Sequence, residues 1–361
     1  MSNQIYAVIM AGGGGTRFWP WSRLNTPKQL LTIIGQKNML QHTIDRITPL
    51  FKPEHILIVT NVLHREQIQK QHPQIPPHNI VAEPVGRDTA PCIGLAATII
   101  SRRDKGSTMV VMTADHIIDP PERFRMMIET AVRVVQENNS LITMGIKPTE
   151  PSVNYGYIHR GKQLSELNGF RIYTVDSFRE KPDKKTARYF VSTGEYYWNG
   201  GVFVWKTAGI LDCLTQFMPR LADGLLRIGA DLGTGNEQAT IEKEYQSFEK
   251  ISIDYAVMEK AKDVIVIEAD FVWDDVGTWN AVERWNEKDV LKNTVLGMHH
   301  GIDTHSCIIV NNESHLITTI GVSDLIIVHT KDATLICSKQ ESEKIKKLVE
   351  ELKQKGGYSY L

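Results

Sequence analysis

The chain has 361 residues, with 41 Lys and Arg against 42 Asp and Glu, a net charge of −1, and 42% hydrophobic and 23% charged residues. These proportions are those of an ordinary globular protein, so wholesale disorder and a fibrous fold are excluded, and the length suits two domains or one large domain with an appendage. The balanced charge argues against a nucleic-acid partner, and no apolar run approaches the ~18–20 residues that cross a bilayer.

At the N-terminus the apolar stretch Ile5–Ala11 lacks a basic leader and runs into glycines, so it reads as a buried strand rather than a signal peptide. Further short strands are expected at Ile56–Thr60, Asn79–Ala82, Met109–Thr113 and Leu141–Gly145. Helical patterns lie between them at Met39–Leu50, Leu63–His72, Ala90–Ser101 and Arg123–Glu137. This alternation predicts an α/β fold on a mixed, mostly parallel sheet, which binds ligands at the carboxyl ends of its strands. Residues from about 150 to 260 mix strand-like (Phe170–Phe178, Gly201–Trp205) and helical (Lys184–Ser192, Gln238–Tyr245) stretches and read as an insertion on the sheet edge. From Asn293 onward, Cys307–Val310, Leu316–Thr319, Leu325–His329 and Thr334–Cys337 predict a small all-β segment, closed by a helix from Ser342 to about Lys353. The expected division is 1–288 and 289–361. The four cysteines, Cys92, Cys213, Cys307 and Cys337, are too scattered for a disulfide framework, and a cytoplasmic protein without a membrane partner is expected.

The first strand ends in Ala11-Gly12-Gly13-Gly14-Gly15-Thr16-Arg17, and Lys28 follows in Thr26-Pro27-Lys28-Gln29. Glycines after a first strand let backbone N–H groups approach phosphate oxygens, and two cations nearby suit a triphosphate. Neither GxGxxG nor GxxxxGK[ST] matches, so the alternative is a flexible turn with solvated cations. Asp115 follows the strand Met109–Thr113 and Asp275 follows Phe271–Trp273. Carboxylates so placed suit Mg²⁺ shared with substrate phosphates, or, as the alternative, helix N-caps. His116 could be a ligand, but reads rather as a core or supporting histidine.

Together with Phe18-Trp19-Pro20-Trp21-Ser22, these blocks resemble sugar-phosphate nucleotidyltransferases, and within them the mannose-1-phosphate guanylyltransferases. The resemblance continues through Glu83-Pro84, Arg87-Asp88-Thr89-Ala90-Pro91, Tyr155-Gly156-Tyr157-Ile158, Phe178-Arg179-Glu180-Lys181-Pro182, Trp198-Asn199-Gly200-Gly201, Ser252–Glu259 and Trp273–Trp279. It implies a Rossmann-like (GT-A-like) nucleotidyltransferase domain, a β-helix-like C-terminal segment used in subunit contacts, and a homodimer. It also implies transfer of GMP from GTP to mannose 1-phosphate, giving GDP-mannose and pyrophosphate with Mg²⁺. By position, Arg17 and Lys28 would hold the triphosphate and Asp115 and Asp275 the metal. Ala11, Gly12, Gly13, Gly14, Gly15, Thr16, Glu83, Asp88, Thr89 and Thr113 would line the nucleotide site, and Gly156, Glu180, Lys181 and Asn199 the sugar-phosphate site. Without the surrounding blocks, Glu180-Lys181 would read as a surface ion pair.

Three positions depart from the family pattern: Asp88 in place of Asn, Gly200 in place of Ser and Ala114 in place of Pro. The first two leave room for a different nucleotide or sugar 1-phosphate, and an idle GDP-sugar-binding regulator is the alternative outside enzymology. Some relatives carry a further isomerase domain, and with about 70 residues after 288 that activity is expected to be absent. His299, His300, His305 and Cys307 fit no zinc spacing and read as solvated loop residues. Lys344, Lys346, Lys347 and Lys353 read as the solvated face of a helix whose stripe is Ile345, Leu348, Val349 and Leu352.

Overall fold

The computed structural model describes residues 4–311 and 314–361. Its contacts divide the chain into two compact units that are not consecutive in sequence. One comprises the chain up to Gly12 with Asp45–Thr113 and Ile118–Trp273, and the other Gly13–Ile44, Ala114–Ile117 and Asp274–Leu361.

The first unit is built on a nine-stranded mixed sheet. Its parallel block runs Ile80–Glu83, Ile56–Asn61, Ile5–Ala11, Thr108–Thr113, in register through Ile58↔Ile80, Ala7↔Ile56 and Val8↔Val111. These strands are buried along almost their whole length, which explains their unbroken runs of Val, Ile and Met. The middle of the chain is only in part an edge insertion. Its strand Tyr196–Lys206 lies inside the sheet, antiparallel to both Thr108–Thr113 and Leu141–Ile146. Val264–Glu268 then pairs parallel with Leu141–Ile146, and Phe170–Arg179 and Tyr157–Leu167 complete the far side.

The helix Thr89–Arg103 is buried from Ala90 through Ile100 because two further helices, Thr207–Phe217 and Pro219–Asp231, pack against it. Gly94 permits that approach, since a Cβ there would lie 2.5 Å from Leu225 Cδ1.

The second unit joins the segment after the glycines to the C-terminal β segment. Its strands stack in parallel: His299–Ile302 pairs with Ile317–Ile320, and Ile308–Asn311 with Leu325–His329, the registers His299↔Ile317 and Ile308↔Ile326 both spanning 18 residues. The last strand, Thr334–Ser338, closes the stack antiparallel. A Lys339–Lys344 turn of 3₁₀ helix leads into the terminal helix Ile345–Gln354, whose Ile345, Val349 and Leu352 face the core. Contrary to the loop expected around the histidines, His299 lies in a strand with Nε2 2.8 Å from Thr319 Oγ1, and Cys307 is buried. Among the described residues no cluster of three metal-capable side chains exists.

Phe18 and Trp19 are buried in this unit with Trp279, Ile308, Val310, Ile326 and Val328. Trp21 stacks on Trp279 with ring centroids 5.8 Å apart and planes 8° from parallel. Trp19 Nε1 donates to the Tyr360 carbonyl at 2.7 Å, and Arg23 pairs with Asp332 at 2.6 Å while also donating to that carbonyl. The aromatic half of the N-terminal motif is therefore core, and its partners are C-terminal. Replacing the fully buried Trp279 by Ala removes contacts to both Phe18 and Trp21. We expect a loss of about 3–5 kcal/mol, read as a lower urea midpoint; an unchanged midpoint contradicts this packing.

Candidate active site

The expected residues fall into three groups, one in the second unit and two in the first. In the second unit Gly15, Arg17, Lys28, Asp115 and Asp275 line one cavity of about 340 Å³. Pro27 sets the chain entering the 3₁₀ turn Lys28–Leu30, and Lys28 is only 6% exposed. Its Nζ donates to Asp115 Oδ2 at 2.8 Å and to the Asp275 carbonyl at 2.7 Å. Two acceptors from distant parts of the sequence thus offset the cost of burying the ammonium.

The four glycines differ in role. Gly15 has φ +60°, and a Cβ there would sit 2.2 Å from Lys28 Cβ. Gly13 and Gly14 face open space, with nothing within 4 Å of where a Cβ would sit. Arg17 reaches Glu343, its Nε 2.8 Å from Oε2. That approach lacks hydrogen-bond alignment, so the pair is held by charge.

Asp275 is presented by a strained turn. Val276 has φ +47°, an outlier for a β-branched residue, and its N–H donates to Asp274 Oδ1 at 2.8 Å. Asp274 also takes two hydrogen bonds from Arg284, at 2.7 and 2.8 Å, and one from Trp285 Nε1 at 2.7 Å. Burial pushes its carboxyl up, but these donors outweigh it and hold the pKa below the usual range. Neither Asp275 nor Asp115 is a helix cap: the following helices Asn280–Trp285 and Pro121–Asn138 have Trp279 and Pro120 at that position. His116 lines the same cavity rather than the core.

In the first unit, Ala11, Glu83 and Thr113 end three parallel strands of one sheet. Glu83 is 4% exposed, and burial pushes its carboxyl up to about 7, against a hydrogen bond from Tyr245 and with help from Asp88. Its Oε1 has no hydrogen-bond partner, nor has Thr113 Oγ1. Gly12 lies beside it, where a Cβ would be 3.3 Å from Glu83 Oε2. Asp88, at φ 68°, caps the helix Thr89–Arg103 by accepting from Thr89 N at 2.8 Å, and Thr89 Oγ1 accepts from Ile253 N.

The other group of the first unit centres on an acid to which the sequence pattern assigned no role. Asp254, in the π-helical turn Asp254–Met258, accepts from Asn199 Nδ2 at 2.8 Å. Asn199 Oδ1 accepts from Thr143 Oγ1 and the Gly201 N–H, and Asn199 N donates to the Gly156 carbonyl. Burial and then Glu180 push Asp254 up to about 7. Glu180 Oε1 lies 2.8 Å from Lys181 Nζ; burial pulls the lysine's pKa down, but Glu180 and Asp254 outweigh it and the net shift is upward. Gly156 leaves room for this carboxylate, because a Cβ would lie 2.3 Å from Glu180 Oε2 and displace it. Both Asp254 and Asp274 belong to recognisable motif blocks; what hid them was that each acts beside a more conspicuous residue.

Gly15→Ala places a methyl against Lys28 in a strained conformation and is expected to displace the lysine, reducing turnover by ~100-fold or more. Gly13→Ala meets no protein atom, so its effect reports only on ligand approach. Equal, small losses in kcat for the two variants contradict this distinction.

Residues 6–291 match the family model "Nucleotidyl transferase", and residues 297–352 match "MannoseP isomerase/GMP-like beta-helix domain". Two relatives named mannose-1-phosphate guanylyltransferase, from Klebsiella pneumoniae and Escherichia coli, are each 38% identical over 97% of this chain and 74% of their own length. A crystal structure from Thermus thermophilus, described as a mannose-1-phosphate geranyltransferase, is 32% identical with a TM-score of 0.85, covering 97% of this chain and 99% of that one. The cavity around Lys28 and the acid pair around Asn199 therefore belong to a nucleotidyl transferase, and the chain is a member of the mannose-1-phosphate guanylyltransferase family.

Proposed function

We propose that the protein transfers the guanylyl group of GTP to mannose 1-phosphate, giving GDP-mannose and pyrophosphate. The observation that carries the chemistry is the buried Lys28 ammonium, joined to Asp115 and to the Asp275 backbone beside the glycine turn. The relatives' names supply the substrates.

In this reading a phosphate oxygen of the sugar phosphate attacks the α-phosphorus of GTP. The new P–O bond forms as the bond to the β-phosphate oxygen breaks, and pyrophosphate leaves with that electron pair. The attacking group is already an oxyanion, so no protein nucleophile or base is needed, and the protein acts by positioning and charge stabilisation. Lys28 and Arg17 hold the triphosphate with the backbone of Gly13, Gly14, Gly15 and Thr16. Two carboxylates in one cavity suit a magnesium ion that shares phosphate oxygens, so Asp115 and Asp275 would hold Mg²⁺, which when bound supplies charge neutralisation.

Glu83, with an orphaned buried oxygen, suits the N1–H and N2–H donors of guanine, with Ala11, Gly12, Asp88, Thr89 and Thr113 around the nucleoside. Glu180 and Asp254 accept from sugar hydroxyls, Lys181 faces the sugar phosphate, and Gly156 and Asn199 keep these acids in place. Two of the departures from the family pattern have local structural reasons. Asp88 caps its helix as Asn would. At Gly200 a Cβ would crowd the Met144 carbonyl at 3.1 Å, so glycine suits this backbone.

We assign catalysis to residues 1–288 and subunit contacts to 289–361, where exposed Ile302, Ile320 and Ile336 suit a homodimer. A GTP-consuming reaction also suits the cytoplasm. No helix of the described residues is long and apolar enough to cross a membrane.

Pyrophosphate release is expected to require both GTP and mannose 1-phosphate and to stop with EDTA; release with another pair overturns the substrate assignment. Asp275→Ala is expected to lower kcat by ~100-fold or more with the unfolding transition retained, and near-normal turnover contradicts the metal assignment. If Glu83 accepts from guanine as a carboxylate, KM for GTP falls as pH rises through about 7, the pH at which the buried acid ionises. Glu83→Gln keeps the titration of GTP itself and removes this component. A wild-type pH profile identical to that of the variant contradicts the role.

A further inference from the structure

Periodicity alone puts Lys346 on the solvated face of the terminal helix, yet its side chain lines the same cavity as Gly15, Arg17, Lys28, Asp115 and Asp275. It comes from the helix Ile345–Gln354, which follows the β segment and is anchored by Ile345, Val349 and Leu352. A second contact brings this segment to the glycine turn: Glu343, three residues earlier, pairs with Arg17 at 2.8 Å.

The charges of the cavity explain what the lysine is for. Lys28 is matched by Asp115, and Arg17 by Glu343. The acid that approaches Lys346 is Glu350, one helical turn on, at 4.0 Å with both side chains 60% exposed, a contact too loose to hold the ammonium. Lys346 therefore remains available to an incoming anion, at the wall that the C-terminal segment supplies.

We propose that Lys346 is a further phosphate-binding residue, which binds the terminal phosphates of the nucleoside triphosphate and the pyrophosphate product. The proposal rests on the nucleotidyl-transfer reading of this cavity. It gives the β segment a direct part in substrate binding, because the helix that seals that segment carries the cation. When triphosphate enters, Arg17 exchanges Glu343 for phosphate, while Lys346 exchanges its loose contact with Glu350 for a firm one.

The test compares wild type, Lys346→Ala and Lys346→Arg as full chains. KM for GTP in synthesis and for pyrophosphate in the reverse reaction are expected to rise roughly tenfold in Lys346→Ala, the size of one charge-assisted contact. KM for mannose 1-phosphate stays put, the defect shrinks at high salt, and Lys346→Arg restores most of the affinity. Calorimetric titration with pyrophosphate alone gives a readout independent of turnover. If wild type binds pyrophosphate but does not release it from GTP and mannose 1-phosphate, the proposed function fails while the lysine can still be judged by the titration. If Lys346→Ala matches wild type in both KM values and in pyrophosphate affinity, or if Lys346→Arg is as defective as Lys346→Ala, the proposal is overturned.

Discussion

The cavity around the glycine turn depends on one buried cation. Lys28 Nζ holds the Asp115 carboxylate and the Asp275 carbonyl at once, so three segments separated by 87 and 160 residues are tied at a single atom. An ammonium with so little exposure is tolerable only while both acceptors stay in place. The same requirement makes Gly15 obligatory, because any side chain there would occupy the space of the Lys28 Cβ. It also gives meaning to the strained turn at Val276, which Asp274, Arg284 and Trp285 brace so that the Asp275 carbonyl and carboxyl stay where they are.

The aromatic residues after the glycines supply the rigidity this arrangement needs. Phe18, Trp19 and Trp21 make no polar chemistry of their own in the cavity. They are packed on Trp279 and on the inner strands of the β segment, and the chain terminus bonds back to Trp19 and Arg23. A motif that looks catalytic because it adjoins a glycine loop is thus half chemistry and half core. The β segment is in turn more than an appendage, since the residues that follow the glycine turn are part of its hydrophobic core.

Much of the sheet was legible because buried parallel strands advertise themselves as short Val/Ile/Met runs: Ile5–Ala11 and Thr108–Thr113 lie within one residue of their expected bounds. Tyr157–Leu167 was not, because most of its residues are polar and partly exposed along an edge. The helices Thr207–Phe217 and Pro219–Asp231 lie in a part of the mixed stretch where no helix was expected; Pro219 opens the second at a position where its missing N–H costs nothing. Periodicity placed Lys346 correctly on the polar side of its helix, but whether that side meets solvent or a cavity is a long-range fact. The same holds for the association of Gly13–Ile44 with Asp274–Leu361, and for Asp254, whose raised pKa arises from burial that local sequence does not encode.

Among the described residues no serine or cysteine lines the cavity around Lys28. Thr16, His116, Lys28, Lys346 and the carboxylates of Asp115 and Asp275 are the side chains there that could in principle carry a nucleotidyl group. The most direct test of the account is the stereochemical course at the α-phosphorus, followed with GTP made chiral there by sulfur substitution. A single in-line attack by the sugar phosphate predicts inversion of configuration in the GDP-mannose formed. Retention would mean two displacements through a covalent intermediate on the protein, and would contradict the claim that this site works by position and charge alone.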